Sequence, residues 1–212
     1  MRRHLLVRLF AVLALATASL LGVSAHAEEQ TADAFIQHLS SEMLHSIKTD
    51  PATQAGNVPA IIALVDAKLM PSVNFKRMTS SAVGPGWRQM TPEQQKRLQD
   101  EFKILLVRTY AGALSQIGDV SIAVQPLRAA TDDKELVVRT KVKGRGEPIQ
   151  LDYRLEKAAG EGGSWRIYNL NIMGVWLVET YRSQFAQEIN AKGVDGLIAA
   201  LAERNRSNAK KG

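Results

Sequence analysis

Near residue 119 the hydrophobic period of this chain changes from helical to two, and near residue 174 it changes back. A chain patterned in that way has to bury one face of a sheet against helices drawn from both ends of the sequence. Thr31 caps a helix predicted over residues 32–48, in which Phe35, Leu39, Met43, Leu44 and Ile47 share a face, ending near Asp50-Pro51. A second apolar helix is expected over 59–70, closed by Pro71, and a short one over 75–80 before a Gly84-Pro85-Gly86 turn. The strongest helix signal is Thr91-Pro92-Glu93-Gln94, which sets an N-cap, a proline at the first helical position and a capping-box glutamine. Leu98, Phe102, Leu105, Leu106, Thr109, Tyr110, Ala113, Leu114 and Ile117 then form a wide apolar face, carrying that helix to residue 116.

The period-two region opens with Ile122 and Val124 and continues with Leu136, Val138, Thr140 and Val142 alternating against Arg139, Lys141 and Lys143. Gly144-Arg145-Gly146 turns the chain into Ile149, Leu151, Tyr153 and Leu155, which alternate with Gln150, Asp152, Arg154 and Glu156; a turn over 160–164 leads to a fourth strand, 165–173. These are half-buried antiparallel strands, expected as a four-strand meander. Leu177, Tyr181, Phe185 and Ile189 resume the helical period, Gly193 stops it, and Asp195 caps a last helix ending near Arg204. No repeat or linker interrupts the pattern, so the expectation is one α+β domain over 28–212. A curved sheet closed by helices encloses either a filled core or a cone able to hold a ligand, and both are lined by the same residue types.

Residues 1–27 are read as a secretory signal peptide. Met1-Arg2-Arg3-His4 is basic, residues 9–23 are apolar and uncharged, and Ala25-His26-Ala27 supplies a cleavage site. The apolar run is shorter than the ~20 residues of a spanning helix. Arg2, Arg3 and Arg8 leave with the peptide, so 27 basic residues fall to 24 against 21 acidic ones, a net charge of +3. Interspersed charge of that size gives no stripe for a phosphate backbone, and nucleic acid is not an expected partner. The product is expected to be soluble and exported, in a Gram-negative cell to the periplasm.

Chemistry-bearing motifs are scarce. The absence of cysteine removes disulfides, thiolate metal sites and cysteine nucleophiles. His38 and His45 are two helical turns apart, roughly 10 Å along the axis, too far to share a metal. There is no G-x-S-x-G elbow and no phosphate-binding loop, and Gly144-Arg145-Gly146 lies between two strands, where a dinucleotide fingerprint needs a strand then a helix. Carboxylates such as Asp152, Glu156, Glu93, Asp100 and Glu101 fall on outward positions with no paired acid–base site. No metal, cofactor or catalytic residue is assigned, and an enzyme working through an inward-facing pocket carboxylate remains an alternative.

Three stretches carry a family resemblance: Val73-Asn74-Phe75-Lys76-Arg77-Met78; Thr91-Pro92-Glu93-Gln94 followed by Leu105-Leu106-Val107-Arg108-Thr109-Tyr110; and Tyr181-Arg182-Ser183-Gln184-Phe185 with Gly193-Val194-Asp195-Gly196-Leu197-Ile198. In order and spacing, from residue 32 to 201, they resemble the toluene-tolerance/MlaC family of periplasmic phospholipid-binding proteins. The resemblance implies an NTF2-like curved four-strand antiparallel sheet packed by N-terminal and C-terminal helices around an apolar cavity. It also implies a shuttle without catalytic activity, a monomer that carries glycerophospholipid between an outer-membrane lipoprotein–porin complex and an inner-membrane ABC transporter. A hopanoid or other polycyclic-lipid carrier of the same family is an alternative, as are an NTF2-like enzyme and a solid-core adaptor. Trp176 stands where a small residue is expected, a bulk that would narrow the cavity.

A carrier must replace water around hydrocarbon. At about 0.8 kcal/mol per buried CH₂, two acyl chains represent on the order of 20 kcal/mol, so the pocket has to be apolar and deep. The expected liners are Phe102, Leu106, Tyr110 and Leu114 on the long helix, Val138, Val142, Leu151 and Tyr153 on the strands, and Val175, Leu177, Val178 and Tyr181 at the start of the closing helix. Arg108 and Arg182 are the candidates for a headgroup or rim, with a helix-to-helix ion pair as the alternative. The hydroxyls of Tyr110, Tyr153 and Tyr181 are candidate rim groups. Lys76 and Arg77 are candidates for a docking surface, and the Gly84-Pro85-Gly86 loop for a hinge.

Overall fold

The computed structural model describes residues 30–115, 120–127, 133–144, 147–158 and 163–209. The leader and the turns at 145–146 and 159–162 fall outside them. Thr31 caps α1 (Ala32–Thr49) by accepting from the amide of Ala34. Asp50 then caps a single turn, α2 (Pro51–Gln54), which the sequence pattern did not single out. Asn57 caps α3 (Val58–Leu64), and the second predicted helix does not continue regularly from there. It widens into a π turn (Val65–Leu69) and tightens into a 3₁₀ turn (Met70–Ser72). Pro71 has no amide to extend an α ladder. Val73 then lies alongside Ile167 in a parallel bridge, and the amide of Asn74 donates to the Ile167 carbonyl at 2.8 Å.

Asn74 caps α4 (Phe75–Val83), and the Gly84-Pro85-Gly86 segment is a 3₁₀ helix (Gly84–Gln89) in place of a loose turn. Trp87 and Met90 anchor it in the core, so the suggested hinge is tightly packed. The capping box of α5 (Pro92–Ser115) forms in both directions: the Thr91 amide donates to Gln94 Oε1 at 3.0 Å, and the Gln94 amide donates to Thr91 Oγ1 at 3.2 Å. The closing segment α6 (Leu177–Ala209) is two helices joined at Gly193, whose φ of 71° is left-handed backbone that a side chain resists.

Between them lies one antiparallel meander: β1 (Ser121–Val124), β2 (Glu135–Lys143), β3 (Ile149–Lys157), β4 (Trp165–Ile172) and β5 (Val175–Trp176), in that spatial order. The α+β class and helix–meander–helix order are as expected, and the fifth strand is an addition. It is two residues long, too short for a period to register, and it exists because Ile172 pairs with Val175 across a two-residue turn. A bulge at Tyr168 breaks the β3–β4 register.

The core has three parts. Ala32, Ile36 and Leu39 of α1 cover Val138, Tyr153, Leu155, Trp165 and Ile167 at one end of the sheet. α4, α5 and both halves of α6 bury an aromatic centre in which Phe102 lies 4.8 Å from Tyr181, 5.1 Å from Phe185 and 5.7 Å from Phe75 between ring centroids. A third cluster joins Ile61 and Val65 to Val107 and Ala111 of α5. Among the described residues no helix is long and apolar enough to cross a membrane.

Candidate functional site

Alternation divides the side chains of β2, β3 and β4 between two faces, and the register fixes which residues share one. Val138, Tyr153 and Leu170 are aligned on the first face, with Thr140, Leu151 and Ile172 one step along and Val142 and Ile149 beyond. Arg139, Asp152, Asn171 and Trp176 are aligned on the other. The first face is apolar, and its burial grades along the strands. Val138, Leu155 and Ile167 are sealed under α1; Leu151, Val142, Leu170 and Ile172 are half-buried; and Ile149 and Val175 are exposed at the far end.

The half-buried residues matter because they join the three core clusters. Leu170 and Val73 pack against both the α1 cluster and the helical cluster, Met70 against the helical and third clusters, and Leu69 against the α1 and third clusters. Leu106 and Tyr110, one turn apart on α5, flank the helical cluster together with Leu170 and Ile172 of β4. Half-buried apolar side chains of the graded sheet end and of α5 thus border one cluster, whose buried members include Phe102 and Tyr181, and together form an apolar seam. A row of apolar side chains that remains half-wet after folding still gains from covering by hydrocarbon.

The expected liners therefore divide. Leu106, Tyr110, Val142 and Leu151 are half-buried, the first two beside the helical cluster and the other two on the open part of the sheet. Phe102, Leu177, Val178 and Tyr181 are buried in the helical core beneath them, and Val138 and Tyr153 are packed under α1. Val175 is exposed at the sheet end, and the side chain of Leu114 falls outside the described ones. The tyrosine hydroxyls divide too. Burial pushes the Tyr153 phenol up to about 12, partly offset by hydrogen bonds with Ser40 and Thr140, so this group is a core polar contact. Tyr181 meets Thr109, and burial likewise raises both Tyr181 and Tyr110. Leu69, Met70, Val73, Leu170 and Ile172 were not among the expected liners. The alternation of Leu170 and Ile172 with Asn169 and Asn171 was the available signal for two of them.

The opposite face is polar, and at its β4 end the polar groups satisfy one another. Asn169 Oδ1 accepts from the amides of Leu170 at 2.9 Å and Val178 at 3.1 Å, and its Nδ2 donates to Glu179 at 2.8 Å. Glu179 also pairs with Arg154, whose guanidinium lies 4.0 Å over the Trp176 ring. Trp176 is thus turned away from the apolar seam, and the expectation that it narrows a cavity is corrected by its register opposite Asn171. Asp152, expected on an exposed outward position, has the outward register but is only 3% exposed. Gln150 donates to its Oδ2 at 2.6 Å, while Oδ1 is buried without a partner.

The candidate cations do not converge on the seam. Arg108 lies between Leu106 and Tyr110 in sequence, but each step of two turns the helix by roughly 200° and puts it on the other side of α5. Its Nε is buried without a hydrogen-bond partner. Arg182 Nε donates to the carbonyl of Ser81 at 3.0 Å and ties α6 to α4. Arg77 is held within the chain by Glu156 and by Glu135 at 2.7 Å, with its guanidinium 3.6 Å over Tyr168, so it is not free for a docking surface; Lys76 is exposed. His38 and His45 are exposed, and among the described residues no group of three or more metal-ligating side chains forms. A concavity of about 300 Å³ beside the start of β2 is lined by Gln125, Pro126, Leu127, Glu135, Leu136, Val137 and Arg139, apart from the seam.

The sequence pattern of the MlaC protein family matches residues 37–203. This chain belongs to that family. Among MlaC relatives, the toluene tolerance protein ttg2D of Pseudomonas putida is 31% identical over 168 residues, spanning 78% of this chain and 76% of its own length. The intermembrane phospholipid transport system binding protein MlaC of Haemophilus influenzae is 23% identical over 177 residues, 82% of this chain and 78% of its own length. A solved structure of a phospholipid-binding protein from Ralstonia solanacearum, in complex with a phospholipid, superposes with a TM-score of 0.80 at 47% identity, covering 84% of this chain and 98% of its own. The MlaC assignment fits the fold described above, helices enclosing one face of an antiparallel meander.

Proposed function

We propose that this chain is a periplasmic phospholipid carrier, exported by a cleaved leader over 1–27. It acts as a monomer that moves glycerophospholipid between an inner-membrane ABC transporter complex and an outer-membrane lipoprotein–porin complex, and it performs no covalent chemistry on its cargo. The observation that carries the reading is the phospholipid held by the Ralstonia solanacearum relative, which aligns over 98% of its length at 47% identity. The apolar seam between the sheet and α5 supports it physically. Leu106, Tyr110, Leu151, Leu170 and Ile172 offer acyl methylenes an apolar surface, and covering hydrocarbon there is worth about 0.8 kcal/mol per CH₂. Asp152 lies on the face opposite the seam, which supports the carrier reading over one with a pocket carboxylate.

Native mass spectrometry of protein purified from the bacterial periplasm, followed by organic extraction, tests the reading. The expected result is an adduct of glycerophospholipid mass near one per chain. A bare chain under gentle ionisation, together with no uptake from labelled liposomes, would overturn it, and an adduct of polycyclic-lipid mass would replace phospholipid by another cargo.

A further inference from the structure

The exposed large apolar side chains of the described residues gather at one end of the sheet: Ile149 is 43% exposed, Val175 50% and Met173 70%. Register puts Ile149 opposite Val142 and Val175 opposite Ile172, so both lie on the apolar face and continue the graded row of Leu151, Leu170 and Ile172 out to solvent. Met173 sits at the tip between β4 and β5. It has a φ of +54°, and among the described residues it is the only one other than glycine with positive φ.

That backbone is informative. Ile172 pairs with Val175, so Met173 and Gly174 form a two-residue turn with φ positive at both positions, +54° and +87°. Such turns favour Asn-Gly, and an unbranched apolar side chain at the first position works against the local conformation. The turn is pinned by backbone groups that do not need this side chain: the Met173 amide donates to the Gln150 carbonyl at 3.0 Å, and the Gly174 amide donates to Asn171 Oδ1 at 2.8 Å. A residue that is locally disfavoured, held rigidly and left exposed points to a role for what it presents. Methionine presents a flexible, polarisable side chain suited to ligands of variable shape. Lys141 and Lys143 flank Val142 on β2 and are exposed, but alternation turns both to the opposite face with Arg139, so the apolar end carries no cation of that strand.

We propose that the Met173 turn, with Ile149 and Val175, is the portal through which the acyl chains of a phospholipid enter and leave the seam. The inference rests on the carrier reading and adds the place where cargo crosses between water and protein. A portal lowers the barrier to exchange by sheltering methylenes in transit, so it governs rates more than the amount of lipid bound at equilibrium. Arg108 and Arg182, held away from the seam, have no part in that passage.

The test uses the full mature chain, delipidated, with vesicles of phosphatidylethanolamine and phosphatidylglycerol that contain a self-quenched fluorescent phospholipid. Uptake is read as the rate of dequenching, and bound lipid at equilibrium is read by native mass spectrometry. Met173→Asn keeps a residue suited to the turn and removes the apolar lip, and Val175→Thr keeps strand shape. Each is expected to slow uptake by about fivefold, the scale for losing part of one apolar side chain from the passage, with unchanged stoichiometry. Met173→Asn should also melt no lower than the wild type, which separates the effect from misfolding. Wild-type uptake rates in both variants would overturn the portal and leave the carrier reading intact. Failure of the wild-type chain itself to take up or retain phospholipid would overturn the carrier reading and the portal with it.

Discussion

The two faces of one sheet differ in how their side chains are satisfied. On the polar face Asn169, Glu179, Arg154 and Trp176 bond and stack among themselves, and β4 is tied by that network to the start of α6. On the apolar face burial runs from complete under α1 to half at Leu151, Leu170 and Ile172, the last two bordering the helical cluster to which α5 contributes Leu98, Phe102 and Leu105. The same strands therefore carry a largely paired polar network on one face and, on the other, an apolar surface that folding leaves partly uncovered, the surface proposed to take the cargo. The proposed carrier would use this division, because a face rigidified by its own hydrogen bonds can hold the shape of an apolar face that is only half covered before cargo arrives.

The largest expected effect contrasts two leucines on the apolar face. Leu155→Ala, at the sealed end, should destabilise by about 3.5 kcal/mol, whereas Leu151→Ala, half-buried at the seam, should cost the lipid-free protein about 1 kcal/mol and weaken retention of phospholipid instead. Urea denaturation with and without bound lipid reads both; equal costs would mean that burial does not grade along the face. Next comes the polar face. Asn169→Ala strands two backbone amides and removes one of the partners of Glu179, and a loss of about 2.5 kcal/mol with lipid stoichiometry unchanged is expected from denaturation and native mass measurements.

Arg77→Ala should cost about 2 kcal/mol at neutral pH, since its guanidinium serves two carboxylates and a tyrosine ring at the junction of α4 with the sheet. Its pH dependence has a defined sign. The hydrogen bond from Arg77 holds the Glu135 carboxyl below its ordinary value of 4.5, with the Tyr168 hydroxyl adding to the effect. A depressed carboxyl contributes stability that is complete above 4.5 and is lost as pH falls towards the folded-state value. Melting temperatures measured from pH 7 downward should therefore decline more shallowly below pH 4.5 in Arg77→Ala than in the wild type. Parallel curves would remove the Arg77–Glu135 contact from the account. The smallest effect is assigned to Trp176→Ala, about 1 kcal/mol from the lost guanidinium stacking, with uptake of phospholipid unaltered; a change in the number of chains bound would place the indole on the wrong face here.

Features set by neighbouring residues were legible in the sequence. Thr91 and Gln94 are three residues apart and specify the start of α5 without help from the rest of the chain, and Gly193 divides α6 where its left-handed backbone requires. Period two assigned the strands and their faces. Features set by distant partners were not legible. The π and 3₁₀ turns over 65–72 depend on docking Val73 beside Ile167, almost a hundred residues on, and the burial of Asp152 depends on what covers the far side of the sheet. The expected liners were chosen by residue type, and only the packing of α1 against one end of the sheet decides that Val138 and Tyr153 are core while Leu151 is left half open. The family strings at Arg108 and Arg182 drew attention to two guanidiniums that helical rotation and the Ser81 carbonyl hold elsewhere.

A crystal structure of the mature chain loaded with phospholipid tests the central claim most directly. Acyl density is expected along the apolar face, in contact with Leu151, Leu170 and Ile172 on one side and Leu106 and Tyr110 on the other, with Trp176 still stacked under Arg154 on the far face. Acyl chains lying against Trp176 and Asp152, with Leu106 and Tyr110 uncovered, would contradict it.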